Sequence, residues 1–441
     1  MNTPICSFLE KYAADGNVRL HMPGHKGKGD GCERFDLTEI SGADSLYEAN
    51  GIIRESEDNA SALFGAYTFY STEGSSLSIR AMLYLATLTK KGERALILAG
   101  RNAHKVFVSA ATLLDFDVEW MCGGESYLSC NLSAEQLEAK LDSMSEKPTA
   151  VYITSPDYLG NTSDIGELAE VCHRRGVLLL VDNAHGAYLA FTKPSRHPIA
   201  LGADMCADSA HKTLPCLTGA GYLHVADSMP IEILSRVKGA MALFGSTSPS
   251  YLILASLDRA NAYLSDGYSA KLERFTGKLD AMKKRLETHG FELVGNEPMK
   301  LTLLPKSYGY TGYELNKYLE ENGIVSEFCD PDHLVLMPTP ETTDGEINML
   351  ECVLTSLPKR EKITVAPPTL SLPERAMTPK EAMMSPAEQI PIEGSYGRIL
   401  SAVTVGCPPA VPIVVSGEII NNEAIEAFRY YGIDCCSVIK R

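Results

Sequence analysis

Short apolar runs rich in β-branched residues alternate with stretches of helical period through the first half of the chain. This is the pattern of an α/β domain built on a mainly parallel sheet. The runs predict strands at Ala95 to Ala99, Val118 to Met121, Thr149 to Thr154, Val177 to Val181, Met205 to Ala207 and Gly221 to Val225. Between them the spacing predicts helices at Ser76 to Thr89, where Ile79, Met82, Leu83 and Ala86 share a face, and at Ile165 to Arg175, stopped by Gly176. A long helical stretch from Pro249 to Thr288 breaks the alternation and leaves the large domain. After His289-Gly290 the pattern predicts a strand at Phe291 to Leu304, a helix at Gly312 to Glu321, strands at Ile324 to Phe328 and Leu334 to Met337, and a helix at Gly345 to Leu357. Ala366 to Pro386, rich in proline and polar residues, predicts a linker with a short helix. The expected division is an N-terminal segment at 1–45, a large domain at 46–260, a small α+β domain at 261–365 and a C-terminal subdomain at 366–441.

Composition narrows the class. With 441 residues, 45% hydrophobic and 22% charged, the chain is long enough to bury a cofactor inside a globular core. No apolar run reaches membrane-spanning length, and Met1-Asn2-Thr3-Pro4 lacks the basic-then-apolar order of a signal peptide, so a cytoplasmic protein without a membrane partner is expected. The twelve cysteines form no CxxC pair, and Cys435 and Cys436 are adjacent, which points to reduced thiols and to no metal site. A net charge of −16 argues against nucleic acid; it serves solubility first and mildly favours cationic substrates.

The chemistry concentrates at two strand ends. Asp182 closes the apolar run Val177-Leu178-Leu179-Leu180-Val181, so its carboxylate should emerge at the carboxyl edge of the sheet, where α/β folds place ligands. Lys212 follows thirty residues later in Asp208-Ser209-Ala210-His211-Lys212-Thr213. One amine to form a Schiff base and one carboxylate to keep a pyridine nitrogen protonated is the pair that pyridoxal phosphate requires. Read alone, Asp182 serves equally as a helix cap, and His185 as a structural histidine or a contact to cofactor or substrate. Thr72-Glu73-Gly74-Ser75-Ser76 opens an amphipathic helix, and a glycine and two serines at a helix start make either a phosphate cup or a simple cap. His104, just after another strand end, offers an imidazole to stack on a pyridine ring.

Taken together, these residues resemble the ornithine/lysine/arginine decarboxylase family in its compact bacterial form. The resemblance runs through His21-Met22-Pro23-Gly24-His25-Lys26, Gly74-Ser75-Ser76, Arg101-Asn102-Ala103-His104-Lys105, Asp182-Asn183-Ala184-His185-Gly186, Ser209-Ala210-His211-Lys212, Ser246-Thr247-Ser248-Pro249-Ser250-Tyr251 and Pro408-Pro409-Ala410-Val411-Pro412 ending in Gly417-Glu418, nearly the whole chain in the family's order. It implies an aspartate aminotransferase-like, fold-type I large domain with a mainly parallel seven-stranded sheet, smaller α+β C-terminal domains, and pyridoxal 5'-phosphate as cofactor. It further implies decarboxylation of arginine, lysine or ornithine to the corresponding amine and carbon dioxide.

By the same resemblance Lys212 is the Schiff-base lysine, Asp182 the partner of the ring nitrogen and His104 the stacking ring. Gly74, Ser75, Ser76, Ser209 and His211 hold the phosphate, and His185 adjoins cofactor or substrate. Thr247 and Ser248 belong to a segment near the phosphate, from the neighbouring subunit of a homodimer with shared active sites. Lys212 or His211 returns the proton to the substrate Cα. Glu418 and Asp44 are candidates for the substrate's distal cation, Arg398 for its carboxylate, and His25 and Lys26 for a place near the site. The chain departs from the family after Lys212, reading Thr213-Leu214-Pro215-Cys216-Leu217-Thr218-Gly219, and at Cys407 and Ser416, so the substrate pocket is expected to differ. The alternatives are another pyridoxal phosphate-dependent aminotransferase or lyase, and a non-catalytic protein that binds the cofactor.

Overall fold

The computed structural model describes residues 1–29, 31–90, 92–123, 131–407 and 411–441. The expected seven strands are present as β1 (Tyr67–Ser71), β2 (Leu96–Gly100), β3 (Asp117–Met121), β4 (Ala150–Thr154), β5 (Leu178–Asp182), β6 (Met205–Asp208) and β7 (Gly221–Val225). The chain divides into two compact units. The first comprises Met1–Glu93, Lys147–Ser155 and Asp164–Glu273, and the second Arg94–Glu146, Pro156–Ser163 and Arg274–Arg441.

In the first unit the strand order is β1-β7-β6-β5-β4. β4, β5 and β6 run parallel, and β7 runs antiparallel to both β6 and β1. The parallel strands are apolar almost throughout, as burial on both faces requires, and each ends in a polar residue: Thr154, Asp182 and Asp208. Register sets Asp182 opposite Thr154 on one side and Ala207 on the other. The helix Gly74–Thr87 lies against β6 and β7 and buries the predicted face of Ile79, Met82, Leu83 and Ala86. The helix Ile165–Arg174 stops where expected, at Gly176, which takes the left-handed conformation with φ +59°.

The long helical stretch is two helices, Tyr251–Ser265 and Tyr268–His289. Asp266 and Gly267 separate them, and Gly267 at φ +72° turns the chain where a periodicity argument sees no interruption. β1, an edge strand, lies outside the six runs read as strands from the sequence.

In the second unit β2 and β3 pair in parallel. Four strands, β8 (Leu293–Val294), β9 (Leu301–Leu303), β10 (Phe328–Cys329) and β11 (Leu334–Leu336), form an antiparallel sheet in the order β10-β11-β9-β8. The single strand expected at Phe291 to Leu304 is therefore two. Gly295 at φ +90° and Pro298 divide it, since neither continues a ladder. The helices Gly312–Glu321 and Asp344–Ser356 each begin with a capping box, Thr311 with Glu314 and Thr343 with Glu346. The short linker helix is Pro379–Met384. Beyond it, β12 (Ala387–Pro391) pairs with β15 (Cys435–Ile439), and β13 (Thr404–Cys407) with β14 (Val411–Val415). Leu400, Ile413, Ile420, Phe428 and Val438 close a core beneath them. The Pro408-Pro409-Ala410 segment of the family resemblance lies outside the described residues.

Candidate active site

The carboxyl edge of β4, β5 and β6 gathers the first unit's candidate residues. Asp182 is 2% exposed. Its Oδ1 accepts the Ala184 N–H at 3.2 Å and its Oδ2 accepts the Tyr152 hydroxyl at 3.1 Å. Burial pushes its pKa up, while the Lys212 ammonium and these two donors oppose that. No helix starts at Asp182; its only capping-like contact is the local turn to Ala184.

Lys212 sits on a single helical turn, Ala210–Thr213. Its Nζ lies 3.1 Å from His185 Nε2, so His185, 6% exposed, faces the amine rather than the core alone. His211 Nδ1 donates to the Ala220 carbonyl at 2.8 Å and thereby faces its ring toward Gly74, where an added Cβ would meet His211 Cε1 at 3.6 Å. Ser209 Oγ donates to Ser75 Oγ at 2.8 Å, which brings a hydroxyl from the end of β6 to the start of the helix Gly74–Thr87. That helix has no side-chain cap; its Gly74 N–H donates to the Gly219 carbonyl at 2.7 Å, and the start of the helix turns the favourable end of its dipole to the cup. Gly221 is a required glycine: a Cβ there would stand 2.8 Å from the Gly74 carbonyl carbon and 3.0 Å from the Asp208 oxygen.

Thr247 and Ser248 are exposed. Their segment is tied to the cup through Ser246, whose N–H donates to Glu73 Oε1 at 2.6 Å. His104 belongs to the second unit, where it caps the helix Lys105–Leu114 by accepting the Val106 N–H at 3.3 Å.

Five candidates have other employment. Glu418, 2% exposed, is held bidentately by Arg101 at 2.8 Å for each oxygen and accepts the Val415 N–H, so its anion is already saturated and is not a binding group for a substrate cation. Asp44 accepts the N–H groups of Ser45, Asn50, Gly51 and Ile53, which organises the entry to the helix Ile52–Phe64 and holds its carboxyl below the usual range against burial. Arg398 binds Glu388 and the Ile439 carbonyl. His25 pairs with Asp36, and Lys26 donates to the His21 carbonyl.

Sequence reasoning missed two elements of the site. Tyr152 was read only as part of an apolar strand. Asp208 is the other: Oδ1 accepts Asn183 Nδ2 at 2.7 Å, and Oδ2 accepts Nε2 of His197 at 3.1 Å and of His224 at 3.2 Å. These histidines hold the Asp208 carboxyl well below its usual range despite burial. The three side chains are close enough to cage a cation. Their facing atoms are instead paired with one another, and His197 Nδ1 accepts the Ile199 N–H at 3.4 Å, leaving its Nε2 the proton. Asp208 thus braces the strand end carrying Asp182 against the turn carrying Lys212. The Asp208 spacing before Ser-x-His-Lys was visible, but its partners were not.

Residues 3–289 match the profile of the Orn/Lys/Arg decarboxylase major domain, and residues 364–435 that of the same family's C-terminal domain. The chain belongs to the Orn/Lys/Arg decarboxylase family. Its enzyme class is accordingly that of the amino acid decarboxylases. The arginine decarboxylase of Bacillus subtilis (strain 168) is 30% identical over 96% of this chain and 92% of its own length. Among solved structures, the lysine decarboxylase LdcF of Francisella novicida superposes with a TM-score of 0.81 at 17% identity, covering 99% of this chain and 81% of that one. A structure of SPT with PLP gives a TM-score of 0.56 at 14% identity over 71% of this chain and 79% of that one. The fold is the aspartate aminotransferase-like, fold-type I architecture. No helix among the described residues is long and apolar enough to cross a membrane.

Proposed function

We propose that this decarboxylase uses pyridoxal 5'-phosphate to convert a basic amino acid, arginine before lysine or ornithine, to the corresponding amine and carbon dioxide. The observation that carries the reading is the convergence of the Lys212 amine and the buried Asp182 carboxylate on one sheet edge, close enough that the amine's charge acts on the carboxylate. The residues fit the cofactor. Beside the pair, Thr154 Oγ1, Asn183 Oδ1 and Thr213 Oγ1 are buried without a hydrogen-bond partner, an uncommon state that a polar ligand relieves. The helix that starts at Gly74 has no side-chain cap, so the turn after Gly74 is suited to an anion.

When bound, the cofactor supplies a cationic ring that accepts the electron pair left by the departing carboxylate. The protein's residues do the rest. Lys212 would hold the cofactor covalently and yield to the substrate amine. Asp182 would hold the proton of the ring nitrogen. Ser75, Ser76, Ser209, His211 and the first helical turn would anchor the phosphate, and by the family resemblance His104 would be the residue to stack on the ring. His185 accepts a hydrogen bond from the Lys212 amine, so Lys212 is placed to take up and return a proton at the substrate Cα, with His211 as the second donor. Thr247 and Ser248, exposed on their own subunit, serve the neighbouring site in a homodimer. The preference for arginine rests on the Bacillus subtilis relative, and the net charge of −16 favours cationic substrates generally. Free thiols at Cys206 and Cys216 suit the reducing cytoplasm.

A carbon dioxide release assay with purified, cofactor-loaded protein across the amino acids tests the reading. Arginine should react, with amine as product, and Lys212→Ala should lower the rate at least about 100-fold and abolish borohydride fixation of the cofactor. Keto acid or aldehyde in place of amine assigns a different reaction at the same cofactor. A bound cofactor with no reacting amino acid assigns a binding protein.

A further inference from the structure

We propose that Tyr152 is a positioning residue for the Asp182 carboxylate, fixing its orientation and moderating its hold on the proton of the cofactor's ring. The inference rests on the reading of the site above and adds a residue to it. β4 and β5 run parallel with Tyr152 opposite Leu180 and Thr154 opposite Asp182, so these four side chains share one face. From Tyr152 to the level of Asp182 is two residues of strand, about 6.6 Å. The tyrosine ring spans that distance and sets its hydroxyl 3.1 Å from Oδ2. Tyr152 is fully buried, between Val151 and Ile153 in sequence and beside Leu179, Leu180 and Val181 of the next strand. A phenylalanine would fill the same volume without a hydroxyl that must be paired when buried.

The contact has a defined polarity. Burial, then the Asp182 charge, pushes the Tyr152 phenol far above its ordinary value, so it remains a donor at all working pH. On the other side, burial raises Asp182, and Lys212, the Ala184 N–H and the Tyr152 hydroxyl each favour its anion. With Ala184 on Oδ1 and Tyr152 on Oδ2, the carboxylate is pinned at both oxygens. Removing the phenol frees one oxygen and makes the carboxylate more basic. A proton shared with a ring nitrogen then moves toward the carboxylate, and the ring becomes less cationic. A less cationic ring withdraws less from the lysine nitrogen attached to it, so that nitrogen keeps its proton to higher pH.

The test is Tyr152→Phe in the full chain, loaded with pyridoxal phosphate. The pH midpoint of the cofactor's visible absorption should rise by roughly half to one unit. The kcat for the decarboxylated amino acid should fall about tenfold, with KM within about twofold. A variant that keeps the parent's midpoint and kcat overturns the proposal. Should Tyr152→Phe fail to fold, 3-fluorotyrosine placed at 152 strengthens the donor and should move the midpoint down; an unmoved midpoint overturns the proposal equally. A parent protein that shows no cofactor band at all removes the site reading and this inference together. A parent with the band and an unchanged variant removes only the role of Tyr152.

Discussion

Asp182 and Glu418 are both carboxylates with 2% exposure, and they are wired in opposite ways. Glu418 meets a guanidinium through both oxygens, and Arg101 adds a bond to the Ile413 carbonyl and a position 5.0 Å over the Trp120 ring. That anion is fully compensated inside the protein. Among the described residues, Asp182 is hydrogen-bonded only by neutral donors, one N–H and one phenol; although the Lys212 charge also favours its anion, burial still lifts its pKa. Saturation marks Glu418 as a structural anion, and incomplete compensation fits the proposed role of Asp182 as one kept for a ligand.

The comparison predicts opposite behaviour on neutralisation. Glu418→Gln strands a buried guanidinium and should lower stability by about 3–5 kcal/mol in urea unfolding. Replacing both partners by apolar residues of similar volume should recover most of that loss. Asp182→Asn should instead lower kcat about 100-fold while leaving the urea midpoint unchanged or slightly raised, since a burdensome buried charge has been removed. If the two variants exchanged phenotypes, the division between structural and functional anion would be wrong.

The smallest effect concerns Asp208, a third buried carboxylate. Burial lowers the pKa of His224, so on acidification below its ordinary 6.5 the unfolded chain takes a proton that the folded chain refuses. Stability should fall as pH drops from 7 toward 5, and further below 3.8, where Asp208 takes a proton in the unfolded chain that it refuses in the folded one. A His224→Gln variant should show a flatter dependence of Tm between pH 7 and 5.

β4, β5 and β6 were legible because each is an almost continuous apolar run closed by a polar residue, and the span Gly221 to Val225 was read to the residue. What periodicity could not register were interruptions of one or two residues, at Gly267 and Gly295, whose cause is backbone handedness rather than polarity. Lys212, Asp182, Ser209 and Ser75 were legible because strand ends and helix starts announce where side chains emerge. Partnerships across long separations were not. Arg101 and Glu418 stand 317 positions apart, so Glu418 read as an unpaired acid available to a substrate. Tyr152 was hidden for the converse reason: a residue that satisfies an apolar pattern conceals its hydroxyl.

The turn that carries Lys212 is stitched at every step. The Lys212 N–H bonds the Ser209 carbonyl, the Leu214 N–H bonds the Ala210 carbonyl, and His211 grips Ala220 through both its N–H and its ring. In the role proposed for Lys212, its amine would reach and leave a ligand on the rotations of its own four methylenes. The main chain of this turn is held by those bonds, so the reach of the amine is that of one side chain.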